Sequence, residues 1–368
     1  MSGNENISPR QFMILVVFFT MGSAILIVPS SLALYAKQDA WLAAILGVGT
    51  GFLFVWLYIS VAKTSQSTLM ELNEKLLGRW LGKAVSLLFI FPIFVGAVGV
   101  LFHVGNFMTS QMMPDTPIQS FYIIFTAIVV MGVRLGMEAL ARASEILFPW
   151  FLFLYVILVI FLFPQIKFEY IQPVMEAGIK PTTSAAMYFL SIVTLPLVVL
   201  LTIFPAHVNR LEDGQRSFFT GYTIGGLIMI IIITMSILVL GPDLTTRNQY
   251  PTFAMAKKID VGHFFQRVEA IMAFIWLISL YFKLALYFYA TVVTVSRIFN
   301  LKDYRPLVLP LGMILVSLSL IQYPNSVYEQ TSNIAFWVPF MVTAGMLYPL
   351  LLLFLSGLKR VRRSYNKR

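Results

Sequence analysis

Cysteine is absent from all 368 residues, so disulfides, thiolate metal sites and a catalytic thiol are excluded. Histidine occurs only 3 times, and no His/Asp/Glu group has metal-ligand spacing. No glycine-rich loop of the phosphate-cradling type and no nucleophile beside a base is visible, so no enzyme, metal or cofactor is expected. Charged residues make up 11% of the chain, where a soluble domain carries roughly 25%. The net charge of +10 does not point to nucleic acid, because the basic residues sit in short loops between apolar runs. No small-residue cleavage site follows the first apolar run, which is long enough to span a membrane and reads as a signal-anchor helix.

What is present is apolar length. Hydrophobic residues reach 59%, with 32 Phe, 18 Met and 22 Gly, a composition suited to packed helices in lipid. A span needs about 20 mainly apolar residues. Ten runs qualify: 11–36, 40–62, 82–111, 118–135, 145–164, 183–206, 218–241, 264–298, 307–321 and 334–358. The ninth is the shortest and contains Pro310. With a cytoplasmic N-terminus, 18 Lys/Arg fall on the inner side and 7 on the outer, which predicts both termini in the cytoplasm.

Two loops differ from the rest. Leu69, Leu72, Leu76, Leu77 and Trp80 recur at helical spacing among Glu71, Glu74, Lys75 and Arg79, which predicts an interfacial helix. The segment 243–262 holds a short apolar run after Pro251 and predicts a helix over the outer mouth.

The first span contains Gly22-Ser23-Ala24 followed by Pro29. Glycine permits non-helical dihedrals, and Pro29 removes the donor for the carbonyl near Ile25. The sixth span is interrupted at Thr194-Leu195-Pro196. Breaks at matching positions of two oppositely oriented halves point to a transporter-type site, where bare backbone lines a cavity. His103 and Asn106 share a face of the third span, fitting either an outer pathway or an interhelical hydrogen bond. His207 and His263 lie near span ends, where solvation is expected. Gly47 and Gly51 read as a close-packing pair.

Lys283 lies deep in the eighth span. Either end is roughly 18 Å away or more, beyond the reach of a snorkelling side chain. Glu145 and Glu269 are near span ends. Carbonyls freed at a helix break are the expected partners of the ammonium, which would stand in for a coupling cation or carry a proton. Ser279, Leu280, Leu286 and Tyr287 share its face.

The ten runs, the Thr20–Leu26 break before Pro29, the segment 76–83, Pro205-Ala206-His207 and the stretch 282–290 together resemble the B subunit of spore nutrient-germinant receptors. That GerAB-like family belongs to the amino acid–polyamine–organocation transporter superfamily. The resemblance implies an all-α polytopic membrane protein with a LeuT-like five-plus-five inverted repeat and discontinuous first and sixth helices. It implies a single domain over 1–368, with halves 11–164 and 183–321, a further helix 334–358 and a basic tail 359–368. It places a germinant pocket between the two broken spans, with Gly22, Ser23 and Ala24 contributed by one and Thr194, Leu195 and Pro196 by the other. It also implies an A-type membrane subunit and a C-type lipoprotein as partners, and the lipids of the spore inner membrane as surroundings. The function expected is sensing of a small nutrient, an amino acid for preference, to trigger germination. A proton-coupled amino-acid permease using Lys283, or a conducting or scaffolding element, is the alternative.

Overall fold

The computed structural model describes residues 6–65, 67–259 and 268–365, and among them every named element is helical. The first four residues of the eighth run, and His263, lie outside the described residues. The first span is two helices, α1 (Pro9–Met21) and α2 (Ala24–Ala36). Ser8 and Gln11 close a capping box around the start of α1, with Pro9 at its first position. The second span is α3 (Ala40–Thr64), and the amphipathic α4 (Leu69–Leu77) follows it. Spans three to five are α5 (Arg79–Phe107), α6 (Ile118–Leu135) and α7 (Met137–Leu162).

The sixth span starts as α8 (Ile179–Phe189), then changes to a π turn (Leu190–Thr194) and a 3-10 stretch (Leu195–Thr202). Next come α9 (Leu211–Leu240), the short α10 (Pro242–Arg247) and α11 (Pro251–Ala256), α12 (Glu269–Ile298) and α13 (Arg305–Ile321). The last span is built from α14 (Ser326–Ser332), which leads into it, then α15 (Val338–Val342) and α16 (Tyr348–Tyr365), with π turns between them. Eight segments are long and apolar enough to cross a membrane, and the shorter apolar helices Pro9–Met21 and Arg305–Ile321 complete the set of ten spans.

Several helices begin earlier than their apolar runs. α7 starts at Met137 because its first two turns are amphipathic, with Arg142 bridging Glu138 one turn back. α9 starts at Leu211, where Glu212 and Asp213 suit the positive end of the helix dipole. The segment from 243 forms the short helices α10 and α11, and α11 is buried against α2, α9 and α12.

Contacts follow the symmetry of an inverted repeat. The first span packs on the seventh (α1 on α9), and the second on the sixth (α3 on α8). Adding five to each number exchanges these two pairs. The third and eighth spans (α5 and α12), related in the same way, pack on each other. The sixth span lies at the centre, with 94% of its apolar window buried, against 22% for the fifth. Gly47 and Gly51 make that centre possible. A Cβ on Gly47 would lie 2.5 Å from Phe189, and one on Gly51 would lie 1.7 Å from the Tyr222 hydroxyl.

The Lys/Arg-rich loops meet at one end of the bundle. Arg10 approaches Glu145, Lys83 bonds the Ile298 carbonyl, Arg297 pairs with Glu71, and Lys359 reaches the Lys75 carbonyl. We call this the basic face. Helix α4 packs across it on α5 and α16.

Candidate functional site

The first span breaks where the sequence offers no side chain. α1 ends with the Gly22 amide on the Phe18 carbonyl at 2.8 Å, and Gly22 takes φ 25°, in the region that favours glycine. The space of its missing side chain is filled by Lys283: a Cβ on Gly22 would lie 2.1 Å from Lys283 Cδ. The Gly22 carbonyl accepts from the Ser279 hydroxyl at 3.3 Å. Pro29 leaves the Ile25 carbonyl without its helical donor, and Thr252 of α11 supplies one at 2.7 Å.

The sixth span breaks by rewinding. A π turn followed by 3-10 geometry shifts the hydrogen-bond ladder and releases carbonyls from the helix. The Ser191 carbonyl accepts from the Trp337 indole at 3.1 Å, and the Ile192 carbonyl from the Lys283 ammonium at 3.2 Å. Lys283 is 2% exposed, which rules out snorkelling, and its ammonium also lies 5.5 Å from the Phe19 ring centre. Its partner is therefore a freed carbonyl, contributed by the sixth span.

Between these breaks lies a cavity of about 40 Å³, bounded by Ser23, His103, Ile192, Lys283, Tyr287 and Trp337 among others. At about 10–15 Å³ per water it holds about three waters, so a larger molecule enters only if the cavity widens. On its far side His103 Nε2 lies 3.6 Å from Glu329 of α14, and the Asn333 amide donates to the same carboxylate. His103 Nδ1 is buried and has no hydrogen-bond partner among the described residues. Glu329 is buried just ahead of the last apolar window. Among the described residues no group of acids and histidines could hold a metal ion.

The sequence-derived candidates separate into four places. Ser23, His103 and Lys283 line the cavity, with Gly22 directly behind Lys283. Ala24 is fully buried at the start of α2. Thr194 turns toward α9, where its hydroxyl meets Tyr222 at 2.9 Å, and Leu195 and Pro196 are buried below it. The sixth span meets the cavity one turn earlier, at Ile192. Asn106 bonds the Tyr250 hydroxyl at 2.7 Å. Sequence reasoning missed Glu329, Asn333 and Trp337. Their four-residue spacing across the start of the last apolar run was the available signal, since it sets three polar or aromatic groups on one helix face.

Comparison with known proteins sets this geometry in context. The model of the family described as "Spore germination protein" matches residues 6–327. Spore germination protein KB of Bacillus subtilis (strain 168) is 30% identical, over 98% of this chain and 97% of its own length. Spore germination protein B2 of the same organism is 23% identical, over 87% of each chain. Among solved structures, the nucleobase-cation-symport-1 transporter Mhp1, closed with bromovinylhydantoin bound, superposes with a TM-score of 0.68 at 13% identity, covering 95% of this chain and 78% of that one. An outward-open Na+-coupled sialic acid symporter gives 0.67 at 10% identity, covering 94% and 80%. These two likenesses concern the fold, an all-α transporter architecture of the inverted-repeat class.

Proposed function

The chain belongs to the spore germination protein family, and on that premise we propose that it is the nutrient-sensing B subunit of a germinant receptor. It is an integral membrane protein of germination with a transporter fold. In this reading the basic face is cytoplasmic, as the Lys/Arg distribution favours. The membrane is the spore inner membrane, and an A-type membrane subunit and a C-type lipoprotein complete the receptor.

The observation that carries the reading is the Lys283–Ile192 bond in a small cavity between two broken spans. A small nutrient with an acceptor group competes with Ile192 for the ammonium, and one with a donor satisfies the idle His103 Nδ1. Expanding the cavity separates the sixth and eighth spans from the first. The resulting shift is bounded by the ligand's differential affinity for the two conformers. The site proposed is thus Gly22, Ser23, His103, Ile192 and Lys283. Ala24, Thr194, Leu195, Pro196 and Asn106 act from behind it.

The test is thermal unfolding of the purified chain with single amino acids and sugars, paired with uptake of the same compounds into proteoliposomes. A nutrient that raises the midpoint in wild type but not in His103→Leu, without net uptake, supports sensing. Proton-dependent uptake identifies a permease instead. Stabilisation unaltered by His103→Leu removes this cavity from the reading.

A further inference from the structure

The lipid-facing side of the bundle carries a second cavity, remote from the first. α6 and α13 enclose a groove of about 800 Å³, walled by apolar side chains such as Ile123, Met131 and Met313. Its floor exists because the helices cross closely: a Cβ on Gly312 would lie 2.7 Å from Val130. At one end stand two arginines, Arg134 at the end of α6 and Arg305 at the start of α13. The Arg305 Nε donates to the Arg134 carbonyl at 3.0 Å, which pins the two cationic ends together. Arg305 also lies 3.7 Å from Asp303. Among the described residues no acid pairs with the exposed Arg134 guanidinium.

We propose that this groove binds one anionic glycerophospholipid, with the phosphate on Arg134 and an acyl chain in the furrow. The dimensions favour lipid. From Arg134 to Ile123 the groove runs about 17 Å along the helix at 1.5 Å per residue. One leaflet of a ~30 Å hydrocarbon core is about 15 Å deep. The groove is therefore one leaflet long, with its cations at headgroup depth and apolar walls below. It opens at the basic face, the side on which anionic lipids attract Lys and Arg. Guanidinium is also the cation whose planar fork matches phosphate oxygens. This site does not depend on what the central cavity binds.

Native mass spectrometry of the full chain, released from detergent containing equal amounts of phosphatidylglycerol and phosphatidylcholine with matched acyl chains, tests it. Wild type should retain phosphatidylglycerol preferentially. Arg134→Gln should lower that retention about fivefold, the effect of about one interfacial cation. Ala127→Phe, which fills the groove from its exposed rim, should evict both lipids. Equal retention of the two lipids by wild type, or unchanged phosphatidylglycerol retention in both variants, overturns the proposal. A photo-crosslinker at Met313 gives an independent reading in native membranes: a lipid adduct supports the site, and an adduct with another polypeptide overturns it.

Discussion

The two broken spans reach the same end by different means. The first stops at one residue, where glycine adopts a dihedral that other residues avoid, and restarts two residues later. The sixth contains no glycine at its break and never fully unwinds; it changes pitch through a π turn into a 3-10 stretch. The first break makes room, since the Lys283 stem occupies the position of the missing Gly22 side chain. The sixth makes acceptors, since Ser191 and Ile192 lose helical donors and take Trp337 and Lys283 instead. Lys283 joins the two, with its stem against one break and its charge on the other. A buried ammonium held by a carbonyl and an aromatic face is costly to desolvate, so it persists where an alternative state can use it.

The steric half of this comparison gives the largest expected effect. Gly22→Ala places a Cβ 2.1 Å from Lys283 Cδ at a backbone φ of 25°. We expect a loss of about 3 kcal/mol from overpacking and strain together. Lys283→Ala in the same chain removes Cδ and Cγ but leaves Cβ, itself 2.8 Å from the added atom. The penalty of Gly22→Ala should therefore shrink, but not vanish, in that background. Unfolding midpoints of the four proteins give the coupling. Strict additivity would mean that Gly22 is needed for its dihedral alone.

The electrostatic half acts on response more than on stability. Lys283→Met keeps the stem and deletes the charge, so Gly22 remains filled. The Ile192 carbonyl loses a donor but borders the cavity, where water replaces it. Abundance in the membrane should stay near wild type while germinant response falls at least about tenfold, equivalent to about 1.4 kcal/mol of lost coupling. Lys283→Arg should restore little, because a planar guanidinium does not fit a site shaped for a compact ammonium. Normal response in Lys283→Met would make the lysine incidental. Loss of abundance in both variants would make it a brace between helices.

The steric half was legible in the sequence, and the other half only partly so. Gly22 before Pro29 announced a break, and the carbonyl that Pro29 releases is the one the structure shows in use. The burial of Lys283 followed from its distance to either span end. Its facing neighbours Ser279 and Tyr287 followed from helical spacing, and both are at the site. The sixth break falls on the residues that proline marked, since the π turn ends at Thr194 and the 3-10 stretch begins at Leu195. Pro196 leaves the Ile192 carbonyl without an i+4 donor, whereas the π turn before it inserts a residue with no compositional mark. Glu329 escaped because it precedes the last apolar run. Its spacing to Asn333 was a local signal, but its approach to His103 of the third span is a tertiary fact.

The smallest effect sharpens the comparison most, because two near-isosteric changes each remove one hydroxyl. Thr252→Val strips the donor from the Ile25 carbonyl, and Tyr58→Phe strips the hydroxyl that sits 3.1 Å from the Leu195 carbonyl and 2.8 Å from that of Gly345. Thr252 and Tyr58 are both fully buried. At the first break Pro29 has no N–H to return, so the Ile25 carbonyl is left unsatisfied, at a cost of about 1–2 kcal/mol. At the sixth break Leu195 begins a 3-10 stretch, whose i to i+3 bonds still engage its carbonyl. The hydroxyl there is an addition, and its removal should cost about 0.6 kcal/mol, typical of a side-chain hydrogen bond between membrane helices. Thermal midpoints in one detergent should therefore rank wild type, then Tyr58→Phe, then Thr252→Val. The reverse order would mean that the sixth span is held open by its neighbours and not by its own change of pitch.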